Sequence, residues 1–261
     1  MIKTKVIGRV FRQDEIADQI YDMWIETELA QGARPGQFVC VYTKNAAALL
    51  PRPISICEVN EEKTMLRLVY RTVGTGTNEF ADYHAGTEIS LLGPLGNGFP
   101  VEKAAGKRVF LIGGGIGIPP MLQLSKEIKK AGQAYCELSV LGYRNELFLN
   151  TDLEKYSQVY VATEDGSAGT KGTVLDAIKE KGLSGDVIFA CGPMPMLRAI
   201  KEYAAANKME AYISLEEHMA CGVGACLGCV CKTKNVDAHS HVHNSRICTD
   251  GPVYNAEEVE I

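Results

Sequence analysis

Val109-Phe110-Leu111-Ile112-Gly113-Gly114-Gly115-Ile116-Gly117-Ile118-Pro119-Pro120 is a short apolar run, a glycine-rich turn and a pair of prolines heading a segment of good helix formers. A four-residue apolar run ending in glycines reads as a buried strand, and proline suits the first turn of a helix, where its missing N–H costs nothing. Strand, glycine turn and helix in that order are the setting in which backbone N–H groups bind phosphate. The turn departs from G-x-G-x-x-G, since position 118 is isoleucine. It reads as G-x-G-x-G-x-x-P over Gly113, Gly115, Gly117 and Pro120, with a purely structural tight turn as the alternative.

Downstream the rhythm continues as strand, helix, strand. Strands are predicted at Glu137–Leu141, Val159–Ala162, Val187–Ala190 and Ala211–Ser214, with helices over Pro119 onward, Thr173–Lys181 and Met194–Asn207. Cys191-Gly192-Pro193-Met194 again joins a strand to a helix. This half reads as a doubly wound α/β domain on a parallel sheet, whose carboxyl edge is where such sheets bind ligands. Upstream, from Thr4 to Pro94, the pattern is one of short strands and turns: Val6, Gly8 and Val10 alternate, as do Tyr21, Met23 and Ile25. Further strands are predicted at Phe38–Tyr42, Ile54–Val59, Met65–Tyr70 and Glu88–Leu92, which together suggest a small antiparallel barrel. The stretch Asn97–Lys107, with Gly98, Pro100 and Gly106, reads as the linker. The expected divisions are 1–96, 97–216 and 217–261.

The third segment is the most specific. In His218-Met219-Ala220-Cys221-Gly222-Val223-Gly224-Ala225-Cys226-Leu227-Gly228-Cys229-Val230-Cys231 the first three cysteines are spaced C-x4-C-x2-C, and Cys248 follows. This is the ligand pattern of plant-type 2Fe-2S ferredoxins. A loop that aims several thiolates at two irons must bend tightly, and Gly222, Gly224 and Gly228 permit it. Structural zinc more often uses two C-x2-C knuckles, and disulfides are uncommon inside cells. The candidate ligands are therefore Cys221, Cys226, Cys229 and Cys248, with Cys231 a spare, buried thiol. His239, His241 and His243 invite comparison with the two-histidine Rieske site but are expected to line an exposed strand or loop. His218 is expected to pack or cap.

The chain has 261 residues, 46% of them apolar, enough for two domains and a small module. A formal charge of -5 without basic clusters argues against a nucleic-acid partner. The N-terminus has no apolar core of a signal peptide, and the most apolar run, 109–122, is broken by glycine and proline. A cytoplasmic protein with no membrane association is the expectation.

Two further stretches complete the pattern. Arg52-Pro53-Ile54-Ser55 places a cation and a hydroxyl around a rigid proline. Arg71-Thr72-Val73-Gly74-Thr75-Gly76-Thr77 adds a second arginine and small residues whose backbone could cradle a pyrophosphate. Arginine-x-x-serine on a barrel, the glycine turn after the first α/β strand and Cys-Gly-Pro before a later helix resemble the ferredoxin-NADP reductase superfamily. The C-terminal cysteine module narrows the resemblance to the electron-transfer subunits of class 1B dihydroorotate dehydrogenase, over essentially the whole chain. This implies FAD contacts at Arg52, Pro53, Ile54, Ser55, Val69, Tyr70, Arg71, Gly76 and Thr77. It also implies nicotinamide nucleotide docking at Gly113, Gly115, Gly117, Gly192 and Pro193, with Ser55 and Cys191 as candidate catalytic residues. Where many superfamily members carry an aromatic, this chain has Ile54, and it runs on into the cysteine module.

The resemblance further implies an electron relay in pyrimidine biosynthesis. Electrons would pass from the FMN of a dihydroorotate-oxidising partner through a 2Fe-2S cluster and FAD to NAD, in a heterotetramer with two copies of each subunit. The alternative is the flavin and iron-sulfur subunit of an NADH-dependent ferredoxin:NADP reductase, sulfide dehydrogenase or hydrogenase, which shares these modules. Glu164 and Asp165, just after the strand at Val159–Ala162, would repel a 2′-phosphate and favour NAD, unless Arg144 pairs with that phosphate.

Overall fold

The computed structural model describes residues 5–236 and 241–261. The first domain contains β1 (Lys5–Ala17), β2 (Ile20–Glu26), β3 (Phe38–Tyr42), β4 (Arg52–Val59), β5 (Met65–Arg71), the short helix α1 (Thr75–Ala81) and β6 (Glu88–Leu95). These six strands close into a barrel in the order β1-β2-β5-β4-β3-β6, every pairing antiparallel. Alternation along each strand sends Val10, Met23, Ile25, Val39, Val41, Ile56, Leu66, Leu68, Ile89 and Leu91 into one apolar interior. Closure leaves no unpaired edge strand.

The second domain runs β7 (Arg108–Gly114), α2 (Pro119–Ala131), β8 (Cys136–Tyr143), α3 (Asn150–Leu153), β9 (Gln158–Thr163), β10 (Thr170–Lys171), α4 (Val174–Glu180), β11 (Val187–Cys191), α5 (Met194–Ala206) and β12 (Glu210–Ser214). Its strands pair in parallel in the order β10-β9-β8-β7-β11-β12. The order reverses at β7, so the crevice between the ends of β7 and β11 is the topological switch point of the sheet. The C-terminal module adds β13 (Val230–Lys232), β14 (Asn244–Arg246) and β15 (Val253–Asn255). β13 and β14 form a small ladder, while β15 joins the large sheet antiparallel to β12, with Ile213 opposite Tyr254. The module is thereby stitched into the α/β domain.

The stretch read as a linker is packed. Phe99 is buried and meets Phe189 edge-on at 5.8 Å, and its N–H donates to the Pro35 carbonyl at 2.8 Å. A continuous apolar seam runs from Ala17, Ile20, Cys57 and Val69 of the barrel through Phe99 to Leu111, Ile118, Leu122 and Phe189. Helix α2 lies along that seam, packed on β4 and β7. The seam also holds a buried ion network. Arg67 donates to both oxygens of Asp22 at 2.9 and 2.8 Å, to Glu58 at 3.2 Å and to Asp152 of α3 at 3.1 Å. Lys126 of α2 donates to Glu58 at 3.1 Å and to the Val59 carbonyl at 3.0 Å. The apolar seam and the ion network tie the barrel to the α/β domain. Among the described residues no helix is long and apolar enough to cross a membrane.

Glu137 on β8 is buried and accepts from Ser125 Oγ at 3.0 Å. Burial pushes its pKa up to about 7, against the opposing pull of that hydrogen bond. The native carboxyl keeps its proton through a range in which the unfolded chain, near 4.5, has lost it. Stability is therefore expected to fall as pH rises from about 4.5 to about 7, since the native state then binds more protons. Urea denaturation across that range checks this: Glu137→Gln should lack that component of the slope, and parallel curves for the two proteins would contradict it.

Candidate redox and nucleotide-binding site

The cysteine loop rests directly on the barrel. Gly222 takes φ +68°, and a Cβ there would stand 2.9 Å from the sulfur of Cys40 and 3.1 Å from Leu95. Cys40 lies on β3, opposite Pro53 of β4 in the ladder. One strand pairing therefore separates the cysteine loop from Arg52-Pro53-Ile54-Ser55. Burial, then the neighbouring Cys221 and Cys229, push the Cys40 thiol up to about 12.

The four candidate ligands pair two and two. Cys221 lies beside Cys226, and Cys248 beside Cys229. Cys229 and Cys248 are buried, Cys221 is half-buried and Cys226 is exposed. Backbone N–H groups already point at the sulfurs: Val223 and Cys226 to Cys221 at 3.5 and 3.4 Å, Gly224 to Cys248 at 3.2 Å, and Gly228 to Cys226 at 3.4 Å. Burial opposes the charge of Cys221, yet these donors hold its thiol down to about 7. Burial and Cys229 push Cys248 up to about 12. Among the described residues no three His, Cys, Asp or Glu side chains gather at one point as a single metal ion would require. Two thiol pairs with inward N–H donors suit a group of two irons whose sulfurs accept hydrogen bonds. Cys231 is half-buried on β13 beside Tyr254. His218, His241 and His243 are exposed, so His218 does not pack as expected, and His239 lies outside the described residues.

On the barrel the Arg52 side chain crosses the start of α1, where a Cβ on Gly76 would overlap its guanidinium, and it donates to the carbonyls of Ala48 and Leu50. Thr77 Oγ1 accepts from the N–H groups of Val73 and Gly74 at 2.9 and 3.3 Å, ordering the turn that leads into α1. Pro53, Ile54 and Ser55 are half-buried along β4. Tyr70 points into the barrel, its hydroxyl donating to Gln13 at 2.9 Å, and Val69 faces the seam. The cation over the glycine at the start of α1 and the partly open β4 backbone fit a flavin dinucleotide.

At the switch point a cavity of about 460 Å³ opens between the two domains. The α/β side contributes Gly114, Gly115, Gly142, Pro193 and Met196, and the barrel contributes Arg71 and the hairpin Ala17–Ile20. Gly113 and Gly117 stand behind this wall. A Cβ on Gly113 would press on Ile118 at 2.9 Å, and one on Gly117 would overlap the carbonyl of Cys191. Gly192 likewise leaves room for Met196. The glycine turn and Cys191-Gly192-Pro193 thus fit together only without side chains. Cys191 itself is buried in the seam, where burial, then Glu216, push its thiol well above the usual range. A neutral, enclosed thiol suits a packing surface beneath a ligand better than a nucleophile.

Sequence reading missed the β1–β2 hairpin as a cavity wall, and Cys40. No local motif marks either, because each acts across the seam. Arg144 and Glu164 both line the cavity. With both charges present, NADH is expected to be preferred to NADPH, and Glu164→Gln should narrow the kcat/KM ratio by about tenfold, roughly 1.4 kcal/mol. An unchanged ratio would relieve Glu164 of that role.

Comparison with known proteins places this geometry. Residues 216–260 match the iron-sulfur cluster binding domain of dihydroorotate dehydrogenase B. Residues 111–202 match an oxidoreductase NAD-binding domain. A solved NADH-dependent reduced ferredoxin-NADP oxidoreductase, studied for flavin-based electron bifurcation, superposes with TM-score 0.86 at 29% identity, covering 98% of this chain and 90% of that one. A ferredoxin NADP+ reductase from Neisseria gonorrhoeae, solved with FAD and NADP, shares the fold at TM-score 0.66 and 15% identity, over 83% of this chain and 95% of its own. The electron transfer subunit of dihydroorotate dehydrogenase B (NAD(+)) from Bacillus velezensis is 44% identical over 95% of both chains. Its counterpart from Listeria monocytogenes is 40% identical over 100% of both. The chain belongs to the family of electron-transfer subunits of NAD-dependent dihydroorotate dehydrogenase B.

Proposed function

We propose that this chain carries electrons from a dihydroorotate-oxidising, FMN-bearing catalytic subunit to NAD, in pyrimidine biosynthesis, within a heterotetramer containing two copies of each subunit. Cys221, Cys226, Cys229 and Cys248 would hold a 2Fe-2S cluster. Arg52, Pro53, Ile54, Ser55, Gly76 and Thr77, with the main chain at Val69, Tyr70 and Arg71, would hold FAD. When bound, FAD supplies the exchange between single electrons and the pair that hydride chemistry requires. The observation that carries this reading is the seat of the cysteine loop on β3, one strand pairing from Ser55.

The protein's own contribution is position and exclusion of water. Ser55 presents a half-buried hydroxyl on β4. The turn 113–117 and Gly192-Pro193 shape the floor on which nicotinamide would lie, with Cys191 packed beneath it. Around the exposed Cys226, the side chains of Val223, Leu227 and Val230 are also exposed. They form the apolar surface through which the catalytic subunit would approach the cluster. A purified chain containing flavin and cluster is expected to reduce ferricyanide with NADH and to leave dihydroorotate untouched. Turnover of dihydroorotate by the isolated chain would overturn the proposal.

A further inference from the structure

Cys248 is carried on a turn that an ion pair closes. Arg246 ends β14 opposite Val230 of β13, and the N–H of Ile247 donates to the Cys229 carbonyl at 2.9 Å, so the turn leaves the ladder beside the cysteine loop. The Arg246 carbonyl accepts from the N–H groups of Thr249, Asp250 and Gly251 at 3.1, 2.8 and 3.2 Å. Asp250 closes the turn from its other end. Its Oδ2 accepts from the Arg246 N–H at 2.9 Å and from Nε at 3.0 Å, and its Oδ1 from Nη2 at 3.2 Å and from Thr249 Oγ1 at 3.1 Å. The Asp250 carbonyl accepts from Asn97 Nδ2 at 2.9 Å, which ties the turn to the chain just beyond β6.

The guanidinium is thereby aimed. Asp250 engages its Nε and Nη2 edge, while Nη1 is the Arg246 atom nearest the cysteine loop, 3.7 Å from where a Cβ on Gly224 would stand. Gly224, at φ +81°, is the residue whose N–H donates to the sulfur of Cys248 at 3.2 Å. The two side chains are only 25% and 31% exposed, so their charges are screened less than those of a surface pair. A thiolate-bound iron-sulfur group gains one negative charge with each electron it accepts. A fixed cation beside it favours the reduced form and raises its potential, and a carboxylate lowers it.

We propose that the Arg246–Asp250 pair sets the reduction potential at the cysteine module: Arg246 supplies the positive charge that makes it the better electron acceptor, and Asp250 orients that charge and partly offsets it. This rests on the reading of Cys221, Cys226, Cys229 and Cys248 as the ligands of a 2Fe-2S cluster. Arg246 is then a positioning residue for the electron transfer, acting through its field and through the turn that presents Cys248.

The test uses the intact purified chain with its flavin and cluster, and compares Arg246→Gln, Arg246→Lys and Asp250→Asn with the parent by iron content and by redox titration of the paramagnetic signal of the reduced cluster. Arg246→Gln should lower the one-electron equilibrium constant for reduction by about tenfold, about 59 mV in midpoint potential. Asp250→Asn should raise the potential. Arg246→Lys, which keeps the charge without the planar fork, should lie nearer the parent than Arg246→Gln does. Opposite signs in Arg246→Gln and Asp250→Asn separate an effect of charge from a loosening of the turn, which would move both variants the same way. Any other pattern, including two unchanged potentials, overturns the proposal. Where one of these two variants loses its iron the shift in the other decides alone, and loss of iron from both makes the pair a structural clasp and overturns it equally. A parent chain that purifies without iron would instead remove the cluster reading of the four cysteines.

Discussion

Serine at any one of positions 221, 226, 229 or 248 is expected to abolish the 2Fe-2S cluster, whereas Cys231→Ser is expected to keep it. The two sets differ in geometry. The four lie as neighbours, Cys221 by Cys226 and Cys229 by Cys248, and backbone N–H groups point at the sulfurs of Cys221, Cys226 and Cys248. Cys231 lies on β13 beside Tyr254. Serine replaces a soft thiolate by a hard, weakly acidic hydroxyl, which iron-sulfur chemistry does not favour. Loss of one ligand leaves one iron incompletely held, so iron and sulfide content should fall from about two each per chain to near zero. Dihydroorotate-dependent NAD reduction in the complex should fall with it by orders of magnitude. Iron and sulfide analysis with the visible and paramagnetic spectra reads the outcome. A full cluster in Cys229→Ser, or an apo Cys231→Ser, would contradict the ligand set.

Arg67→Met is expected to cost about 3–5 kcal/mol, the penalty for breaking a buried ion network at one partner. Asp22 is only 3% exposed, and both of its oxygens depend on Arg67, so the variant strands a buried carboxylate. Burial disfavours the charge of Arg67, but the Asp22 hydrogen bonds and the surrounding acids hold its pKa above the ordinary value. The effect reaches beyond the barrel because Asp152 of α3 shares the guanidinium. Urea denaturation measures it, and Arg67→Met combined with Asp22→Leu should restore part of the loss because neither buried charge then remains. A single variant within about 1 kcal/mol of the parent would mean the network contributes no more than surface pairs do.

Much of this molecule was legible before its structure. The strand, glycine turn and proline-headed helix from Val109 to Ala131 stand where the pattern put them, because short-range periodicity and proline chemistry decide them. The barrel too followed from alternation. What escaped was decided at long range. Helix α1 begins at Thr75 in a stretch containing Gly74 and Gly76, poor helix formers; its turn is ordered by Thr77 and it is anchored by buried Phe80. The supposed linker became core because Phe99 found Phe189. β15 joins the sheet over three residues, too few to show a period. The cysteine spacing announced a cluster, but that its loop would sit on Cys40 required the folded barrel. The nucleotide cavity was half visible: its glycines are local motifs, whereas Arg71 and the β1–β2 hairpin reach it only through the docking of two domains.

The central claim is that the chain is a relay whose electrons come from another subunit. The direct measurement combines the purified chain with its purified dihydroorotate-oxidising catalytic subunit and follows NADH formation from dihydroorotate. NADH is expected to form only when both are present, at a rate that saturates near equimolar amounts. Equal rates of NAD reduction by the catalytic subunit alone, or by this chain alone, would contradict it.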